Sequence, residues 1–489
     1  MVVSVILAAT LGVLGAWAAS LAADSGRIGR IASRFFVVSM LAAIATPMIL
    51  HAAAWEATAG KFGWMALTQT GARTWFKGLI ACGWIHGLVG TAMIGLAVWH
   101  GAQTVPKAIL AQASLELGPS AIWWKVRLRH AMPWLMVSAL ATAMLAATEM
   151  TVVDLYGFRT VADEFYLFYS TNPTTISVLQ TLCIPMEIGI AGLVIFWLAD
   201  RRSKPVRTTH EDVAGIEKPS RVLGTTAALI ACGIALTVIV VPIAGLLVKV
   251  GHQVDVVDAQ RIASWSKSRG LTTLIAAPKS FQSEYGWTIA IFVCVSVVAV
   301  FVGWIAASLG RTRGRCEVVI DVACVCMFLL PGPIVGLAVV HFFQMPIPGF
   351  RDLYHKSLVP TIVALMFRAG PVAYWIIRSG YRGIDDAIIN TAKIELSYVR
   401  QIWSVHRPLI KRSLITAAIA SGVVASGDVP ATLPVVPAGV TTVGTRLFGL
   451  LHSGARFQEA ALALWYVAAI VALTLVWSKI VGKQRGRME

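Results

Sequence analysis

The chain has 489 residues, 57% of them hydrophobic and 13% charged, with a formal net charge of +17. A soluble protein carries about a quarter charged residues, so the composition excludes an ordinary soluble fold and describes a membrane protein. Nucleic acid is excluded as the partner of the positive charge by where that charge sits, in loops between apolar runs.

A spanning helix needs about 20 mostly apolar residues. Windows of that length fall at 2–23, 35–55, 78–99, 132–152, 175–199, 222–249, 287–309, 317–342, 357–379, 409–430 and 459–481. They predict an all-α, polytopic membrane bundle of about eleven spans. Pro47, Pro185 and Pro331 interrupt three of them, which a bilayer tolerates where neighbours satisfy the freed carbonyls. The first window starts directly after Met1 without a basic n-region, so it is read as retained rather than as a cleaved signal.

Loop charge sets the orientation. With 100–131 placed in the cytoplasm, the loops on that side hold 27 Lys and Arg and the opposite loops 12. The positive-inside rule then puts the N-terminus outside and the C-terminal "KQRGRME" inside, a multi-pass arrangement read as the bacterial inner membrane. Of the seven cysteines, Cys82, Cys183, Cys232, Cys294, Cys324 and Cys326 lie in apolar spans as small hydrophobes, and no disulfide framework is implied. Cys324 and Cys326 are two apart on a helix, so they point to different faces and make no metal pair.

The polar, Pro-containing stretch 201–221 reads as a cytoplasmic linker between a first half-domain, 1–200 with about five spans, and a second, 222–489 with about six. Both halves run through a Pro-broken span, a span holding an ionisable residue (His86 or Arg368), a basic amphipathic segment and two more spans. That order predicts two parallel repeats with a pathway between them.

The first amphipathic segment is "QASLELGPSAIWWKVRLRHAMP", residues 112–133. Leu115, Gly118, Ile122 and Val126 are read as one helical stripe, with Lys125, Arg127 and Arg129 forming a basic side. Gly118-Pro119 is expected to split it into two short helices. The counterpart "DDAIINTAKIELSYVRQIWSVHRPL" spans 385–409. Two such segments at matching places suit a two-fold docking partner better than helices resting on lipid.

These segments resemble the EAA loop of ABC importer permeases, with "QASLELG" at the Glu-Ala-Ala-to-Gly stretch and "DDAIINTAKIEL" as the second copy. "MLAATEMTVVDLYGFRT" and "IASGDVPATLPVVPAGVTTVGTRLFGLLHSGARFQEAALAL" resemble the helix, acidic residue and outer loop that come after the EAA loop in fused permeases of the ferric iron, thiamine and phosphonate group. Gln112 stands at the family's leading Glu, and the second copy has Glu395 or Leu396 at the glycine position. The resemblance implies coupling helices seated on a cytoplasmic ATPase dimer. Ala113, Glu116, Gly118, Ile122 and Trp123 would meet one ATPase subunit, and Asp386, Thr391, Ala392, Glu395 and Ser397 the other. It also implies an extracytoplasmic substrate-binding protein that delivers the cargo, with ferric iron the first expectation and thiamine, phosphonate or another small anion the alternatives.

The chain carries no G-x-x-x-x-G-K-[ST], H-E-x-x-H or G-x-S-x-G motif, so an enzyme is not expected and ATP is assigned to the partner. No metal site and no bound cofactor are expected. Ionisable groups within spans default to functional candidates. Glu149 and its repeat-mate Asp428, with His86 and its repeat-mate Arg368, are therefore candidates for a polar translocation path, or for structural pairs. Membrane carboxylates with Pro-broken spans also keep an ion-gradient-driven carrier in view.

Overall fold

The computed structural model describes residues 1–60, 75–160, 183, 187–192, 194–195, 219–257, 260–312, 314–453 and 457–482. Most of window 175–199, nearly all of linker 201–221 and the tail from 483 lie outside these residues. Among the described residues, nine single helices are long and apolar enough to cross a membrane, or ten spans if Cys316–Leu329 and Gly332–Phe343, bent by 101°, count as one. Each of the other ten predicted windows meets one of these. The chain is a multi-pass, helical membrane protein.

The first compact unit comprises Met1–Glu164, Glu187–Ala277 and Leu451–Leu475. It contains α1 (Val2–Asp24), α2 (Arg27–Ala45), α3 (Met48–Ala59), α4 (Gly78–Gln103), α5 (Lys107–Ala113), α6 (Pro119–Ile122), α7 (Leu128–Thr148) and α8 (Thr151–Leu155). A π-turn, Trp123–Arg127, joins α6 to α7. Helix α2 stops at Ala45 because Pro47 forces Thr46 into an extended conformation. Helices α9 (Arg221–Ala235) and α10 (Val241–Val250) come after the linker in sequence, yet α9 packs on α1 and α2 and α10 on α3.

Small residues let α1 and α4 approach closely, the usual means of helix association where lipid removes the hydrophobic drive. A Cβ at Gly12 would sit 2.9 Å from Ile94 Cβ, and one at Gly90 would sit 2.8 Å from Ala8 Cβ and 2.3 Å from Thr142 of α7. In this unit Lys249 of α10 also forms a buried ion pair with Glu459 of α22 (Phe457–Gly482). Between α10 and the next helix, β1 (His252–Val257) and β2 (Gln260–Trp265) pair antiparallel, with His252 opposite Trp265. Helix α11 (Lys267–Ser280) comes after the strand pair.

The second unit is centred on Pro278–Leu450. Its elements are α12 (Gln282–Thr312), α13 (Gly314–Leu329), α14 (Gly332–Phe343), α15 (Phe350–Lys356), α16 (Val359–Arg382), α17 (Asp386–Glu395), α18 (Tyr398–Gln401), a π-turn at Ile402–His406, α19 (Arg407–Gly427), α20 (Val429–Thr432) and α21 (Val443–Ser453). Helices α12, α16 and α19 pack mutually around Val295, Ala299, Leu365, Ala373 and Ala417. On α12 the opposite face, Ile289, Val293, Val297, Phe301 and Ile305, is apolar as well and exposed. A helix that is apolar all round belongs in lipid, since water would select polar residues on the outer face.

Candidate functional site

Each unit contains one short-helix segment running into one long helix, and local chemistry dictates its form. In the first unit Pro106 caps α5, and the chain then turns through Ser114–Gly118, with Leu117 N–H donating to the Ala113 carbonyl at 2.9 Å. Gly118 caps α6, Pro119 occupies the first helical position, and Ile122 N–H donates to the Gly118 carbonyl at 3.0 Å. In the second unit the Asp385 side chain caps α17 by accepting from Ala387 N–H. Leu396 N–H then donates to the Ala392 carbonyl at 2.9 Å, and Gln401 N–H to the Ser397 carbonyl at 2.9 Å.

The two segments match element by element at a constant offset of 279 (398 minus 119). Helices α5 and α17 start at 107 and 386, α6 and α18 at 119 and 398, the π-turns at 123 and 402, and α7 and α19 at 128 and 407. Both long helices then end at an acidic residue, Glu149 or Asp428. At this register Ala113 matches Ala392, Glu116 matches Glu395, Leu117 matches Leu396, Trp124 matches Trp403 and Val126 matches Val405. Ser397, not Glu395 or Leu396, holds the place of Gly118. Pro133 lies inside α7 whereas Pro408 lies in the first turn of α19, so the two prolines are not counterparts.

Burial sorts the predicted contact residues. Glu116, Gly118, Thr391, Glu395 and Ser397 are exposed and Ala113 is half-buried, while Ile122, Trp123 and Ala392 are buried. Asp386 opens α17. The single stripe predicted from Leu115 to Val126 does not form: Leu115 is 85% exposed and Ile122 is 4% exposed. The break at Gly118-Pro119 changes the helical phase, and the π-turn changes it again. Trp123 instead anchors the segment inward, packed with Ala8, Ala16, Ile94 and Val98. Sequence reasoning placed Leu115 in the stripe but assigned neither it nor its register-mate Ile394, 86% exposed, to the docking contacts. An aliphatic side chain directly before each glutamate was the available signal.

Both segments are tied to their own bundle at the end of the π-turn. Arg127 reaches Asp24, at the end of α1, at 3.7 Å. Its register-mate His406 is buried edge-on against Tyr381, whose hydroxyl accepts from Trp304 Nε1–H at 2.9 Å.

The four ionisable candidates form two pairs, each at a helix break. His86 of α4 faces Glu149 with Nε2 3.4 Å from the carboxylate, both buried. His86 Nδ1 lies 2.8 Å from the Cys82 carbonyl; a carbonyl accepts, so Nδ1 carries the proton and Nε2 is turned to the acid. Glu149 also accepts from Thr151 N–H at 2.7 Å, from Val152 N–H at 2.9 Å and from the Thr151 hydroxyl, which starts α8. In the second unit Arg368 Nε of α16 lies 3.4 Å from Asp428, which accepts from Ala431 N–H at 3.3 Å and starts α20. Val152 and Ala431 share the same register. A cavity of about 10 Å³, the size of one water, adjoins Asp428 and is lined also by Thr288, Ser426, Thr432 and Thr442.

In the described geometry, then, each carboxylate both faces a basic side chain from a neighbouring helix and nucleates the turn after the break. No protein family model matches the sequence, and no curated protein is detectably similar to it.

Proposed function

We propose that the chain is the membrane-spanning permease of an ABC importer, with two repeated half-domains forming the solute pathway and a separate cytoplasmic ATPase dimer supplying the energy. The observation that carries this reading is the pair of segments built alike at an offset of 279, each presenting an exposed aliphatic-glutamate dipeptide, Leu115-Glu116 and Ile394-Glu395. Exposed aliphatic side chains beside acids, at the ends of short, bundle-anchored helices, suit insertion into a partner's grooves.

Such a pathway needs two states, and a partner biases them by binding one better than the other. Trp123 and His406, buried at the roots of the segments, supply the lever that links a docked segment to α7 and α19. A substrate-binding protein delivers the cargo, and ferric iron is the cargo proposed first. The test is purification from native membranes in mild detergent. Co-purification of an ATP-hydrolysing subunit, lost on Leu115→Glu with Ile394→Glu, supports the reading, and an inert chain that purifies alone refutes it.

The buried pairs at helix breaks favour one second reading, an ion-gradient-driven carrier. Ion-dependent uptake in vesicles without ATP would select it.

A further inference from the structure

In the second unit a cavity of about 300 Å³ opens where the C-terminal ends of α12 and α16 meet the start of α13. This is the lower end of ligand-sized cavities. Arg311, Arg378 and Arg382 line it together with Glu317, Tyr374 and Tyr381. Arg378 contacts Glu317 at 2.8 Å and Asp321 at 2.8 Å, and Arg382 contacts Glu317 at 3.0 Å. Arg311 donates to the carbonyls of Tyr381 at 2.6 Å and Ile384 at 3.1 Å, and Tyr374 donates to Asp321 at 3.0 Å. Among the described residues, three guanidinium groups and two carboxylates thus meet around the hollow.

The geometry points to a site for a phosphate group, that of an anionic lipid. Guanidinium forks match phosphate oxygens in shape and charge, and basic pockets between membrane helices at the interface take acidic headgroups. The rim chooses lipid over a free anion. Ile305 and Leu309 on α12 and Val318, Val319 and Val322 on α13, the helix ends that contribute Ala307, Gly310, Arg311 and Glu317 to the hollow, are exposed, so an amphipathic molecule meets both a headgroup pocket and apolar helix surface for its chains. Because Arg311 holds the backbone at Tyr381 and Ile384, directly before α17, a bound headgroup braces the root of the second exposed segment. The site stands whether or not the importer reading does.

The experiment is native mass spectrometry of the detergent-purified chain titrated with phosphatidylglycerol or phosphatidylcholine. Wild type is expected to retain phosphatidylglycerol preferentially. Arg382→Gln, at an exposed guanidinium, weakens that preference about tenfold, the loss of one charge-assisted contact. Glu317→Gln removes a competing carboxylate and strengthens it, a direction that misfolding does not produce. Equal retention of the two lipids by wild type, or an unchanged preference in both variants, overturns the site. Displacement of phosphatidylglycerol by millimolar inorganic phosphate overturns the lipid as the source and leaves a soluble phosphate.

Discussion

The Arg368–Asp428 pair allows a quantitative test of what holds the helix break together. Two unit charges 3.4 Å apart at an effective dielectric of about 20 attract by roughly 5 kcal/mol. Asp428→Asn removes that attraction and leaves Arg368, which is mostly buried, without its counter-charge, at an expected cost of about 3–5 kcal/mol. Arg368→Gln strands the carboxylate at a similar cost, partly offset because Ala431 N–H still donates to it. In the double variant neither charge is stranded, so its destabilisation falls short of the sum by about 1.5 kcal/mol or more. Unfolding of the four proteins in mixed micelles, followed by circular dichroism, measures the cycle. Additivity within about 0.5 kcal/mol would mean that the two groups do not feel each other, and the account of the break would fail.

Other expectations can be checked on the same purified protein. Trp123→Ala, at a fully buried anchor, destabilises by about 3–5 kcal/mol, whereas Trp124→Ala, half exposed next to it, costs under about 0.5 kcal/mol; thermal melts separate the two. Gly12→Leu forces a side chain into Ile94 and is expected to cost about 1–3 kcal/mol by overpacking α1 against α4, seen as a lowered unfolding midpoint. Lys249→Met strands the buried Glu459 carboxylate and costs about 3–5 kcal/mol, and adding Glu459→Leu restores much of the loss. Leu115→Glu and Ile394→Glu, both at exposed positions, leave the melt unchanged while abolishing co-purification of the ATPase subunit proposed as the partner.

Apolar windows of spanning length locate helices because the bilayer leaves the backbone few alternatives: every buried N–H and C=O must be satisfied within the segment. The short helices of 107–122 were legible from Gly118-Pro119 for a similarly local reason. The register between 106–149 and 385–428 was not, because the two most visible landmarks, Pro133 and Pro408, stand at different places in their helices. The acid and the basic partner of each pair were recognisable singly, as expensive groups in apolar runs. That His86 reaches Glu149 and Arg368 reaches Asp428 depends on which helix faces lie together, and the intervening 62 residues (149 minus 87) and 59 residues (428 minus 369) carry no such information.

Membrane insertion, helix positions and the chemistry available to the loops are set by the sequence by itself, because hydropathy, proline and glycine act through the local backbone. Tertiary structure alone decided that Trp123 points inward while Leu115 and Ile394 point outward, that α9 joins the first unit, and that Arg311, Arg378 and Arg382 converge on one hollow. These depend on helical phase after breaks and on which faces pack, quantities summed over distant contacts that no single stretch of chain encodes.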